Sequence, residues 1–396
     1  MPTPHANTGP RVVIIGAYGM TNLGDDAILT AMLAELREAL PGARFAVVAL
    51  ERSGVPVADD VEPVAFEDRA IRDALDGADL LIIGGGGLLF DFRIRASYED
   101  FFDDRATNFY PHYRAALVAH GRGIPVQLYA VGVGPLVGPV ARGLTRTVCE
   151  LAAAITVRDT LSASELQGLG VPEGKIEVTA DPAVRLPVST AGRRAAAPRV
   201  GFVIRNWFPV TAPGAVQLPH GAAYLARYLD RFAAAADHVV ARWGGRPVFF
   251  AVQNEVDDDR EFAARVIERM AHHSEAEIVE SAAEHEALQA LLAGLDLVVS
   301  TRLHGLIFAA NCGVPGIGIN LNTKVRAFLC DVGLPELAVS PWDGRGGALP
   351  ELIDRVLEQQ GDYARRLAAG MAAQRQAAAR NPAVSAALLA ARRGRG

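Results

Sequence analysis

Three cysteines are few for 396 residues, and Cys149, Cys312 and Cys330 stand far apart with no CxxC spacing. That excludes a disulfide framework and leaves no cysteine zinc site, so buried apolar thiols in a reducing compartment are expected. His272 and His273 have no metal-ligand partners at useful spacing, and no metal is expected. Basic charge is also short: 39 Lys and Arg stand against 45 Asp and Glu, a formal net charge of −6. A general nucleic-acid binder would show the opposite balance, so no nucleic-acid partner is expected, although one local cationic pocket for a small anion remains open. No apolar run reaches about 18 residues, the length a membrane-crossing helix needs. The opening MPTPHANTGPR lacks the apolar core of a secretion signal. A cytoplasmic protein without a transmembrane segment is the expectation.

Half of the residues are hydrophobic and 21% are charged, enough to bury sizeable cores, and the length implies two or three domains. Continuous β-branched runs mark buried strands at 11–15, 45–50, 79–83, 126–131, 154–157 and 176–179. Helical patterns at 27–40, 70–75, 110–121 and 162–170 alternate with them, with Ser162 as a candidate cap. Residues 186–198 read as a linker. A second series of strands follows at 200–204, 248–252, 297–300 and 315–319. Helical patterns at 222–243, 260–271 and 305–312 separate them, and a helix-rich stretch closes the chain at 349–392. Two sets of alternating β and α units predict an α/β protein of two doubly wound domains, 1–190 and 199–396, with a terminal helical segment in the second. Ligands in such folds sit at the carboxyl ends of strands, and two domains leave a cleft between them.

Four loops after strands could carry chemistry. The segment GAYGMTNLGDD joins the first strand to a helix and contains Gly19, Asn22, Asp25 and Asp26. It is neither GxGxxG nor a P-loop. Its amides could hold an anion or polar ligand at a helix N-terminus, or the two aspartates could simply complement the helix dipole. Gly84, Gly85, Gly86 and Gly87 follow the strand DLLII. Four glycines are costly in entropy, and suit either close approach of a ligand or tight packing. Arg158, in TVRD, ends a strand where it could grip a carboxylate or phosphate two-pronged, or pair with an acid such as Asp159. In STRLHG, Arg302 and His304 alternate around Leu303, so in extended backbone they would point the same way. A cation beside an imidazole can bind an anion and move a proton, while a lone histidine can equally be structural. Lys324, after GIGIN, would project from a neighbouring loop and complete a cationic cluster with Arg302 and Arg158. The acidic runs at 99–104 and 257–259 read as a solvated loop and a helix start.

These segments together resemble the polysaccharide pyruvyl transferase family over about residues 11–340. The elements are GAYGMTNLGDDAIL, DLLIIGGGGLLFD, VQLYAVGVGPL, TVRDTLSASELQGLGV with ADPA after it, and LDLVVSTRLHGLIFAANCGVP with NTKVRAF after it. The resemblance implies a GT-B-like pair of Rossmann-like domains facing an interdomain cleft, the first on the acceptor side and the second on the donor side. It implies transfer of a pyruvyl unit from phosphoenolpyruvate to a sugar diol, giving a cyclic ketal and phosphate. The family's arginine and histidine carry over to Arg302 and His304, its VRD arginine to Arg158 and its lysine to Lys324. Arg158, Arg302 and Lys324 would then hold the donor's carboxylate and phosphate without a metal, and His304 would move protons. Asp25 or Asp26 would orient or deprotonate the acceptor. Gly19, Asn22, Asp26, Gly85, Gly86 and Gly87 are the candidate acceptor- or ligand-binding positions. No cofactor is expected, since phosphoenolpyruvate is a substrate. The stretches 92–108 and about 205–250 match poorly, which leaves the acceptor's identity open, and a homo-oligomer is left open too.

Three other functions bear on the same residues. A nucleotide-sugar glycosyltransferase could use the same fold, with Arg302 and Lys324 gripping a diphosphate. A non-catalytic binding protein would keep an anion or glycan site without turnover. A dehydrogenase would use Glu51 on a ribose, but GAYGMTNLG lacks the dinucleotide spacing.

Overall fold

The computed structural model describes residues 9–19, 22–51, 55–91, 101, 110–187, 197–206, 221–252, 259–280, 284–321, 323–341 and 348–394. Readings that fall elsewhere lie outside the described residues: the leader, most of the acidic run at 99–104, the linker's 188–196, the individual stretches 92–100 and 207–220, and the last two positions of the tail.

The chain forms two compact units, Met1–Pro182 with Arg375–Gly396, and Ala183–Gln374. The first unit runs β1 (Arg11–Ile15), α1 (Leu23–Ala39), β2 (Arg44–Ala49), β3 (Val61–Ala65), α2 (Asp68–Ala74), β4 (Leu80–Leu89), α3 (Tyr110–Gly121), β5 (Val126–Val133), α4 (Pro139–Leu151), β6 (Ala154–Val157), α5 (Thr160–Gly168) and β7 (Ile176–Val178). Its seven strands lie in the order β3-β2-β1-β4-β5-β6-β7. All pairs are parallel, with Ile14 of β1 opposite Val47 on one side and Ile82 on the other. Helices cover both faces of such a sheet, which is why the β1 run RVVII is apolar without alternation and Val12 to Ile15 have no exposed surface.

The second unit repeats the plan: β8 (Arg199–Val203), α6 (Gly221–Trp243), β9 (Arg246–Ala251), α7 (Asp259–Ile267), β10 (Glu277–Glu280), α8 (His285–Leu292), β11 (Leu297–Ser300), α9 (Leu303–Asn311), β12 (Gly316–Ile319), α10 (Thr323–Asp331) and β13 (Ala338–Val339), then α11 (Ala348–Glu358), α12 (Gln360–Ala378) and α13 (Arg380–Arg393). Its strand order is β10-β9-β8-β11-β12-β13, again all parallel. In each sheet the order reverses once, between β1 and β4 and between β8 and β11. Successive crossovers diverge there, and that opens a crevice at the carboxyl ends of the two strands.

The structure corrects four expectations of the fold. Of the thiols expected to be buried, Cys149 is, Cys312 is half-buried and Cys330 is exposed. The terminal helical segment does not all stay with the second unit: α13 returns to the first. The reason is polar. Gln127, fully buried in β5, donates from Nε2 to the Asn381 carbonyl at 3.1 Å and accepts from Ser385 Oγ at 2.6 Å. Thr179 Oγ1 donates to Asn381 Oδ1 at 2.8 Å. A buried amide without such partners would be destabilising. The cap of α5 is Asp159 rather than Ser162, the carboxylate accepting from the Ser162 N–H at 2.7 Å. Lastly, the glycines 84–87 do not follow a strand but lie inside β4, which continues to Leu89 and pairs with β5 at Gly86↔Val131 and Gly87↔Gly132.

Candidate active site

In the first unit, the loop after β1 and the glycine strand β4 meet at the reversal point. Gly19 turns the chain with a φ of +69°, and a β-carbon there would stand 2.4 Å from the Glu51 carbonyl oxygen. Asn22 caps α1, its side-chain oxygen accepting from the Gly24 N–H at 3.2 Å while its amide nitrogen donates to Asp25 Oδ2 at 2.6 Å. Asp26 accepts from the Gly19 N–H at 3.4 Å. Gly85 lets α1 lie against the strand, since a β-carbon would stand 2.3 Å from Ile28 Cγ2. Gly86, with φ +93°, faces Asp25, whose Oδ1 lies 2.9 Å from the β-carbon position. The half-buried Gly87 faces Gly132 across the ladder. Packing therefore accounts for Gly85, and closeness to Asp25 for Gly86.

Electrostatics follow from this crowding. Burial lifts the Asp26 carboxyl from 3.8 to about 6; the Gly19 N–H holds it back, and the Asp25 charge adds to the rise. Tyr18 is fully buried and donates its hydroxyl to the Gly84 carbonyl. Burial raises the phenol, and the charges of Asp25, Asp181 and Asp26 add to that. Three carboxylates thus gather at the carboxyl ends of these strands.

Arg158 lies just beyond β6, only 5% exposed. Its Nη1 donates to Asp181 Oδ2 at 2.9 Å, and its Nε is 3.6 Å from Asp159 Oδ2. Gly132 makes room for it, because a β-carbon there would stand 2.7 Å from the Arg158 Nε. These are the contacts of the acid-pairing alternative left open from sequence.

In the second unit, β8 and β11 end side by side, with Val203 opposite Ser300. The Thr301 N–H donates to the Val203 carbonyl at 3.0 Å, and the Arg205 N–H donates to Thr301 Oγ1 at 3.1 Å. Arg302 occupies the cap position of α9. Gly305 lets that helix start against the sheet, since a β-carbon would stand 2.6 Å from Ser300 Oγ and 2.9 Å from Val203 Cγ1. Arg302 Nη2 donates to Asp259 Oδ1 at 2.7 Å and Oδ2 at 2.8 Å. His304, half-buried in the first turn of α9, has its ring 6.0 Å from that of Phe308 one turn on. The chain becomes helical at Leu303, so the extended alternation expected for Arg302 and His304 does not occur; the helix start sets their relation. Lys324 is likewise in a first helical turn, that of α10, rather than in a loop. It is half-buried and leaves β12, the neighbour of β11. Arg302, His304 and Lys324 therefore share adjacent strand ends of the second unit, and Arg158 belongs to the first.

Two residues escaped the sequence reading. Asp259 does start α7, as its acidic run implied, but it is fully buried beneath Arg302. Arg205 leaves β8 at the same reversal point; its position after the first strand of the second series, matching that of the GDD loop in the first, is the signal that would have found it. Tyr228 Oη donates to the Arg205 carbonyl at 3.4 Å. Burial raises that phenol, opposed by the positive charges of Arg205, Arg231 and Arg302. Among the described residues, no three His, Cys, Asp or Glu side chains are placed to hold a metal ion, and no helix is long and apolar enough to cross a membrane.

The sequence profile of the family described as "Polysaccharide pyruvyl transferase" matches residues 22–323. The chain belongs to this family. The match starts at the Asn22 cap, includes both aspartates, the β4 glycines, Arg158, Asp259, Arg302 and His304, and stops one residue before Lys324. The chain is also 32% identical over 78 residues to the amylovoran biosynthesis protein AmsJ of Erwinia amylovora. That stretch is 20% of this chain and 19% of AmsJ, so the chain spans about a fifth of that relative's length. Among solved structures, Anabaena HepE in complex with UDP-glucose is 13% identical at a TM-score of 0.57, covering 96% of this chain and 98% of that one. The UDP-GlcNAc 2-epimerase of Neisseria meningitidis bound to UDP-GlcNAc is 11% identical at 0.57, covering 90% and 94%. Identities this low show the fold alone: two Rossmann-like units of GT-B type.

Proposed function

We propose that this pyruvyl transferase family member takes its pyruvyl unit from phosphoenolpyruvate and joins it to two hydroxyls of one sugar as a cyclic ketal, releasing inorganic phosphate. The observation that carries the proposal is the head of α9: a guanidinium fixed by a buried carboxylate, followed two residues later by a half-buried imidazole, at the strand end where such sheets bind ligands. Arg302 and Lys324 hold the donor's carboxylate and phosphate.

His304, protonated, gives its proton to the methylene carbon, the double-bond electron pair forming the new C–H bond. The central carbon becomes cationic, and a first sugar hydroxyl adds to it. A second hydroxyl then forms the other C–O bond as the bond to phosphate breaks. The two hydroxyls lose two protons: one replaces the proton given to the methyl group, and the other leaves with phosphate. In the first unit, Asp25, Asp26, Asn22 and the backbone at Gly86 and Gly87 are the groups suited to a sugar hydroxyl, with Asp26 the candidate base among them. A carboxyl lifted to about 6 is a stronger base than an ordinary aspartate and still ionised at neutral pH.

The test is incubation of the protein with phosphoenolpyruvate and a panel of sugar diols, read by phosphate release and by the mass gain of a pyruvylidene group. Both are expected with at least one diol. Thermal stabilisation by nucleotide sugars with none by phosphoenolpyruvate would assign the fold to glycosyl transfer instead.

A further inference from the structure

Asp259 is the most deeply buried charge beside the donor residues, and its contacts say why it is tolerated. The group has no exposed surface. An isolated carboxylate in that place would be strongly destabilising. Here both oxygens accept from Arg302 Nη2, at 2.7 and 2.8 Å, and Oδ2 also accepts from the Val252 N–H at 3.2 Å. Val252 follows β9, and Asp259 opens α7, so a single carboxylate ties the end of β9 to the head of α9 across the intervening strand β8. The first turn of α7 also favours negative charge there. Arg302 is only 12% exposed at its side chain, so its guanidinium has little freedom to reorient.

We infer that Asp259 is a positioning residue for donor binding: it holds Arg302 Nη2 so that the guanidinium meets the donor's anionic group in one orientation. This rests on the donor assignment above. Asp259 does not touch the donor and acts through Arg302. Its removal therefore weakens donor binding without slowing the bound complex.

The test is steady-state kinetics on Asp259→Asn, Arg302→Ala and the double variant, with phosphoenolpyruvate and an accepted diol. Asp259→Asn is expected to raise KM for phosphoenolpyruvate by about tenfold, leaving kcat within about threefold and the acceptor KM unchanged. The double variant is expected to be no worse than Arg302→Ala alone, because residues acting as a unit are non-additive. A kcat loss at constant donor KM, or additive effects in the double variant, would overturn the inference. Should Asp259→Asn not fold, Asp259→Glu keeps the charge and displaces it; a raised donor KM is expected, and a wild-type KM would overturn it. If the wild-type protein gives no turnover with phosphoenolpyruvate, the donor assignment fails separately. The pair is then read by calorimetric binding of inorganic phosphate, where Asp259→Asn is expected to weaken binding and undiminished binding would count against it.

Discussion

Asp25 Oδ1 lies 2.9 Å from the place a β-carbon would take on Gly86. That contact joins the first turn of α1 to the glycine strand, and it gives one glycine two separate reasons to lack a side chain. Gly86→Ala must relieve a left-handed φ of +93° and displace the Asp25 carboxylate. Gly77→Ala meets the first demand only, since φ is +72° and nothing lies within 4 Å. Gly77→Ala is expected to destabilise by about 1 kcal/mol and keep activity. Gly86→Ala is expected to destabilise by more, roughly 1–3 kcal/mol, and to lose turnover. Thermal unfolding and phosphate release, measured side by side, check both.

Asp26 carries a pH signature. Its folded carboxyl titrates at about 6 against an ordinary 3.8, so between those values the native state holds a proton that the unfolded chain has released. The contribution to stability declines as pH rises through that window, and the penalty is constant above it. Asp26→Asn removes the penalty while its oxygen still accepts from Gly19. The variant is expected to melt above wild type at pH 7.5, with the difference gone by about pH 4. An equal difference at both ends of the range would remove burial of the charge as its cause.

Arg158 and Asp181 form an internal pair whose side chains are 3% and 6% exposed. Arg158→Ala takes the guanidinium away from a buried carboxylate and is expected to destabilise by roughly 3–5 kcal/mol, with Asp181→Ala also destabilising and the double variant losing less than the sum. Arg158→Lys keeps a cation for Asp181 and loses the planar fork. A raised donor KM in that variant at near-native stability places Arg158 with the donor; an unchanged KM leaves it as the internal pair.

The return of α13 to the first unit gives a fourth measurement. Asn381→Ala leaves Gln127 its carbonyl partner and Thr179 Oγ1 its bond to the Val157 carbonyl, but removes the side-chain bonds of Asn381 to Thr179 Oγ1 and to the Ala180 carbonyl. A loss of about 1–3 kcal/mol is expected in chemical denaturation. No loss would mean that the helix is not held through this amide.

The fold class was legible because buried parallel strands write their β-branched runs directly into sequence, as at Arg11–Ile15 and Leu297–Ser300. Strands of weaker pattern were not: β3 carries a proline and an exposed glutamate, and β10 is acidic at both ends. The glycines of β4 looked like a loop, because glycine's usual place is outside strands; the proximity of Tyr129, Ile28 and Asp25 explains Gly84, Gly85 and Gly86 inside one. Of the site, Arg302, His304 and the GDD loop were visible from their positions after strands. Asp259 was not, because its role comes from Arg302, 43 residues along the chain, and a short acidic run has the same appearance whether solvated or buried. The destination of α13 was hidden for the same reason: Gln127 and Asn381 are 254 residues apart.

The most direct measurement is phosphate release from phosphoenolpyruvate in the presence of an accepted sugar diol, comparing wild type with His304→Ala. Release with formation of the pyruvylated sugar is expected for the wild-type protein, and no detectable release for the alanine variant at unchanged melting temperature. A folded His304→Ala protein that turns over at the wild-type rate would contradict the assignment of proton transfer to the imidazole at the head of α9.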